Sequence, residues 1–215
     1  MERDRILEQA RKFVISELGD DSYGHDWWHA MRVASMARRI GTVEGAGLFV
    51  CELAALLHDI PDDKRGISEE VGISRLRNWM NQSGLDPEYR NHVIEIISTM
   101  SYRAGLNPPM KTIEGKVVQD SDRLDALGAI GVARTFAYSG HKGQAIYDPS
   151  LKPRENMSFQ EYRNGRTTVI NHFYEKLLKL SSLMNTEYAR KLAVERHRFL
   201  EQFLEEFFSE WSGKR

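Results

Sequence analysis

ELAALLHDIPDDK, running from Glu52 to Lys64, couples a short apolar run to a histidine, an aspartate and an acidic turn. Leu53-Ala54-Ala55-Leu56-Leu57 are strong helix formers and read as one face of a buried helix. Pro61 cannot continue a helix and places its end just after His58-Asp59. Neighbouring residues inside a helix diverge by about 100°, but at the last turn the backbone can bring both side chains toward one point. A lone carboxylate taken out of water is costly, so Asp59 needs a partner from elsewhere in the chain.

The rest of the chain repeats the helical period. Ile6, Ala10, Phe13, Val14 and Leu18 recur at three- and four-residue steps, and a second helix is predicted from about Gly24 to Ile40. The third covers about Gly45 to Leu57. Ser68-Glu69-Glu70 opens another, and Asp86-Pro87-Glu88 opens the next with a cap and a proline at the first turn. Thr112-Ile113-Glu114 starts the helix carrying Val117, Val118 and Leu124, and one more runs to about Tyr138. Residues 139–165, with Gly140, Gly143, Pro149, Pro153 and Gly165, read as a long loop, followed by helices over about 166–184 and 186–211. No hairpin signal, glycine-rich phosphate loop or repeat is present. The expected fold is all-α, a single domain over 1–215 with its core at about 20–140.

Composition narrows the function classes. Thirty basic residues against thirty-one acidic ones leave a net charge of -1, which argues against extended nucleic-acid binding or a membrane-surface role. No stretch longer than eight residues lacks a Lys, Arg, Asp or Glu, so no membrane span is expected. Cys51 is the only cysteine and sits in an apolar context, which suits a small core residue in a reducing compartment. The charged start, Met1-Glu2-Arg3-Asp4-Arg5, is unlike a secretory signal. A cytoplasmic protein is the expectation.

Partners for Asp59 come from two other helices. His25 and His29 lie four apart in GHDWWHA and share a helical face. Asp120 and Asp122, in VVQDSDRL, face differently, so only one of them looks inward with Val118. Two imidazoles and two carboxylates make a mixed nitrogen–oxygen site for a divalent ion: manganese as first choice, or magnesium, cobalt, nickel, iron or zinc. Four protein ligands around a six-coordinate ion leave room for water and substrate, as in a catalytic site.

His29, His58-Asp59 and Asp122 in this order resemble the H…HD…D motif of the HD superfamily of metal-dependent phosphohydrolases. GHDWWHAMRVASMA, ELAALLHDIPDDK, VVQDSDRLDALGAIGVARTFAYSG and NHFYEKLLKL extend the likeness over roughly residues 5–210. The resemblance implies an HD-domain helical bundle in which His29, His58, Asp59 and Asp122 hold the metal. It prefers Asp122 over Asp120 because Asp122 stands directly before Arg123-Leu124. It also implies that Asp62 assists proton transfer. Lys64, one turn past the motif, is the first candidate to offset phosphoryl charge, with Arg123, Lys142 and Arg154 as further cations and His25 as a substrate contact. The implied activity is hydrolysis of a nucleotide, a nucleoside or deoxynucleoside triphosphate releasing phosphate or pyrophosphate. A non-catalytic metal- and nucleotide-binding sensor, or a small alarmone hydrolase, is the alternative. Phe203, Leu204, Phe207, Phe208 and Trp211 on the last helix suit either a cap on the domain or a homodimer contact.

Overall fold

Side-chain caps and apolar spacing account for the elements one by one. The computed structural model describes residues 2–19, 26–61, 68–102, 107–155 and 157–215, and every regular element among them is helical. The chain groups into two compact units, Met1–Ser101 with Asn107–Asp122 and Tyr102–Leu106 with Arg123–Arg215.

In the first unit, α1 (Glu2–Leu18) buries Ile6, Leu7, Ala10, Val14 and Leu18. Helix α2 (Trp27–Glu44) begins three residues later than the spacing predicts. The cause is Asp26, which sits in an extended conformation and accepts the His29 backbone N–H at 2.7 Å. Gly45 ends the helix in the left-handed conformation, at φ 71°, where a side chain would be strained. In α3 (Leu48–Leu57) every residue from Val50 onward is buried. Helices α4 (Glu69–Gln82), α5 (Pro87–Thr99) and α6 (Ile113–Asp125) follow, with Ser68 and Asp86 capping the first two as their sequences predict.

Helix α3 is the core of this unit, packed on α1, α2 and α5. Leu53, Leu56 and Leu57 are fully buried, and each such burial contributes about 1.5–3 kcal/mol. One acid interrupts the helix. Glu52, 6% exposed, meets Arg11 of α1 at 2.6 Å and Arg38 of α2 at 3.2 Å. Paired charges of this kind fix how neighbouring helices slide against each other more than they add stability.

Helix α4 lies against the turn that ends α3. A Cβ built on Gly72 would stand 2.4 Å from the Pro61 Cα and 3.0 Å from the Ile60 carbonyl oxygen. Only glycine permits that approach, and Pro61 is two residues from Asp59. Gly72→Ala is therefore expected to cost about 1–3 kcal/mol as overpacking, read as a lower urea midpoint. An unchanged midpoint would mean that α4 retreats freely from the turn.

In the second unit, α7 (Gly128–His141) and the long α11 (Glu187–Trp211) pack together. The stretch 139–165 is less loop-like than its glycines and prolines suggest. Its first residues complete α7, and α8 (Phe159–Asn164) is nucleated by a capping box in which Ser158 and Glu161 bond each other's backbone N–H. The helix expected at 166–184 is a composite: α9 (Val169–His172), a π-helical turn (Phe173–Leu177), α10 (Leu178–Leu180) and a 3₁₀ turn (Ser181–Leu183).

Candidate metal centre

Three segments of the first unit deliver four side chains to one point. Capping by Asp26 fixes His29 in the first turn of α2, where it is 1% exposed. His58 is the C-cap of α3, and Asp59, 5% exposed, lies in the turn after it. Asp122 comes from the last turns of α6.

Their donor atoms converge. The Nε2 atoms of His29 and His58 lie 3.2 Å apart. One Asp59 oxygen is 3.3 Å from the first and its other oxygen is 3.3 Å from the second. Asp122 Oδ1 reaches the same two nitrogens at 3.5 and 3.7 Å. Donors about 2.1 Å from a common ion stand about 3.0–3.4 Å from one another, so the cluster is of the size that a single divalent cation demands. His29, His58 and Asp59 are the tightest part of it. Asp122 is the open side, with a side chain 37% exposed against 1–7% for the other three.

The backbone prepares one ligand further. The Ala55 carbonyl accepts from His58 Nδ1 at 2.7 Å, so neutral His58 carries its lone pair on Nε2, toward the centre. A proton substitutes for a cation when none is bound. Burial pulls the His58 pKa down, but the charges of Asp59 and Asp122 outweigh it and lift the imidazole to about 9. Burial likewise works against Asp122, yet contacts from both histidines hold its carboxyl well below the ordinary range. Acids and imidazoles thus cluster as a cation-seeking group.

His25, Asp62 and Lys64 lie outside the described residues. Asp120 is fully buried. Arg123 donates to the Leu183 carbonyl. Lys142 caps α7 at the surface, with its ammonium 5.7 Å from the Tyr138 ring. Arg154 departs most from its expected role as a substrate cation. Its Nε and Nη2 form a bidentate pair with Glu175 at 2.9 and 2.8 Å, and Nη1 donates to the Glu161 carbonyl at 2.6 Å. That guanidinium is a structural clasp on a carboxylate 1% exposed. Sequence reasoning missed Asp26 and Glu175. An acid directly before the Trp27-Trp28 run was a legible cap signal, whereas nothing local marks Glu175.

Comparison with known proteins agrees with the geometry. The HD domain family matches residues 27–127, a span that holds all four converging side chains. The YpgQ protein of Bacillus subtilis (strain 168) is 40% identical over 99% of this chain and 97% of its own length. A solved structure from Lactobacillus plantarum superposes with a TM-score of 0.91 at 40% identity, covering 99% of this chain and 100% of that one. An HD-superfamily hydrolase from Bacillus thuringiensis gives 0.75 at 45% identity, with 99% of both chains covered. The crystal structure of YpgQ in complex with ADP gives 0.75 at 38%, covering 95% and 97%. Among the described residues, no helix is long and apolar enough to cross a membrane.

Proposed function

The chain belongs to the HD-domain family, with the fold of its hydrolases, and from that premise we propose that it is a metal-dependent phosphohydrolase acting on a nucleotide. The convergence of His29, His58, Asp59 and Asp122 at 3.2–3.7 Å carries the metal-dependent part of this reading. The ADP bound by YpgQ supports the nucleotide part. A divalent ion in such a site supplies Lewis acidity to a phosphoryl oxygen and lowers the pKa of bound water from about 15.7 toward 7. The protein's own contribution is orientation. Asp59 spans both imidazoles, Ala55 fixes the His58 ring, and the exposed flank at Asp122 is where water and a phosphate gain access. Manganese is kept as the first choice of metal, although two imidazoles and two carboxylates suit several divalent ions and favour none by chemistry alone. Asp62 would take the remaining proton, and Lys64 would offset charge on the phosphoryl group.

The test is turnover of a panel of nucleoside mono-, di- and triphosphates by chelator-stripped protein resupplied with Mn²⁺, Mg²⁺, Co²⁺ or Ni²⁺, with products separated by chromatography. Metal-dependent release of phosphate or pyrophosphate is expected. Saturable nucleotide binding without turnover under every metal would instead make the chain a sensor module.

Proton competition gives a second expectation. In the metal-free protein the His58 proton stabilises the fold fully below the ordinary histidine value, and this contribution disappears as pH rises through about 9. A cation must displace that proton, so Mn²⁺ affinity is expected to rise between pH 6.5 and 8.5 by up to about tenfold per pH unit. Calorimetry at pH 7 in two buffers of different ionisation enthalpy should register about one proton released per ion. Affinity independent of pH across that window would contradict the reading.

A further inference from the structure

The second unit contains a cluster that the metal centre does not explain. Tyr102 and Tyr162 meet edge to face with ring centroids 5.7 Å apart, and Tyr162 lies 6.5 Å from His172 with the rings inclined by 29°. The Lys176 ammonium stands 5.5 Å from the centre of the Tyr102 ring. All four side chains are partly exposed rather than buried, unlike the aromatic core of this unit, where Phe173 is fully buried and stacks on Phe203. Arg123 is close enough for its charge to oppose the upward push that burial and Tyr162 exert on the Tyr102 phenol.

The backbone beneath the cluster is built to hold still. His172 ends α9 and Lys176 lies in the π-helical turn, an irregularity that helices frequently carry at functional positions. The same turn sends Glu175 inward. There its carboxylate accepts from the Arg154 backbone N–H, the Arg154 guanidinium and the Thr167 hydroxyl, at 2.8–3.0 Å. A carboxylate so fully satisfied anchors the segment from below. The anchored turn presents an ammonium and an imidazole at the surface, next to two tyrosine rings. Positive charge beside aromatic rings is the combination that holds nucleic-acid components, the charge on phosphate and the rings on bases.

We propose that Tyr102, Tyr162, His172 and Lys176 form a binding site for a nucleoside phosphate, with Lys176 and His172 on the phosphate and the tyrosine rings against the base. The class of ligand rests on the nucleotide reading above, while the choice of residues rests on this cluster alone.

The test is calorimetric titration of full-length, chelator-treated protein with ADP and, separately, with pyrophosphate. Lys176→Met is expected to weaken both by about 10–100-fold, the scale of a lost charge-assisted contact. Tyr162→Leu should weaken ADP and leave pyrophosphate unchanged, a split that general destabilisation does not produce. Lys176→Arg and Tyr162→Phe, which keep the charge and the ring, should restore binding and guard against misfolding. If the wild type binds ADP and both disruptive variants bind it equally well, the cluster is not the site, although the nucleotide reading stands. If the wild type binds pyrophosphate but neither binds nor hydrolyses any nucleotide, the nucleotide reading fails and the proposal falls with it.

Discussion

Asp59→Ala is expected to remove metal-dependent hydrolysis, with a loss in kcat well beyond the about 10–100-fold typical of residues that only support a ligand. The reason is its position between the two imidazoles, with one oxygen 3.3 Å from each. Removing it leaves two nitrogens 3.2 Å apart with no buried counter-charge, and 5% exposure gives water little access to take its place. Asp122→Ala should lose less, because that carboxylate stands on the open side, where water can substitute. The two variants therefore rank the site from its buried floor to its solvent-facing edge. Mn²⁺ titration followed by electron paramagnetic resonance separates lost binding from lost chemistry. Undiminished turnover by Asp59→Ala at saturating metal would end the four-ligand reading.

How much of this was legible depended on whether the determinant was local. The end of the Leu53–Leu57 run, the Asp86-Pro87 start and the helix opening at Thr112 are encoded within a few residues, and the structure has them where the sequence puts them, although α3 begins at Leu48 rather than about Gly45. The proline stop made His58-Asp59 readable as a helix end, whereas spacing left His25 and His29 on one face and the family resemblance alone pointed to His29 as their partner. Asp120 and Asp122 were not separable by spacing, since both lie in one helix and only tertiary packing decides which faces the histidines. The Ala55 carbonyl behind His58 could not be read, because any residue at that position offers the same oxygen. The Ser158-x-x-Glu161 box is a local signal, yet the glycines and prolines around it pull the reading toward a loop. Long-range pairings were the least visible. Arg154 and Glu175 are 21 residues apart, and an arginine in a polar stretch looks the same whether it awaits a phosphate or clasps a buried acid.

That pairing yields the largest expected stability effect. Arg154→Ala strands Glu175, 1% exposed, as a buried charge without its cation, and breaking such a pair from one side costs about 3–5 kcal/mol. The cost is asymmetric, so the neutral double variant Arg154→Ala/Glu175→Gln should recover most of it. The amide keeps its oxygen for the residue-154 backbone N–H and turns its NH₂ to the Thr167 hydroxyl, which then accepts, and it has no charge to desolvate. The dependence on pH supplies the sign. In the wild type, burial pushes the Glu175 carboxyl up, but the Arg154 contacts outweigh it and hold the pKa below the ordinary value. Its stabilisation is therefore present above the ordinary carboxylate range and is lost as pH falls through the lowered value. Without Arg154, burial prevails and the carboxyl takes up a proton more readily than in the unfolded chain. The gap between variant and wild type should then narrow from pH 8 to pH 5 in urea denaturation. A small gap that does not change with pH would show that Glu175 finds water when its arginine is gone, and Arg154 would return to the list of cations available to a substrate.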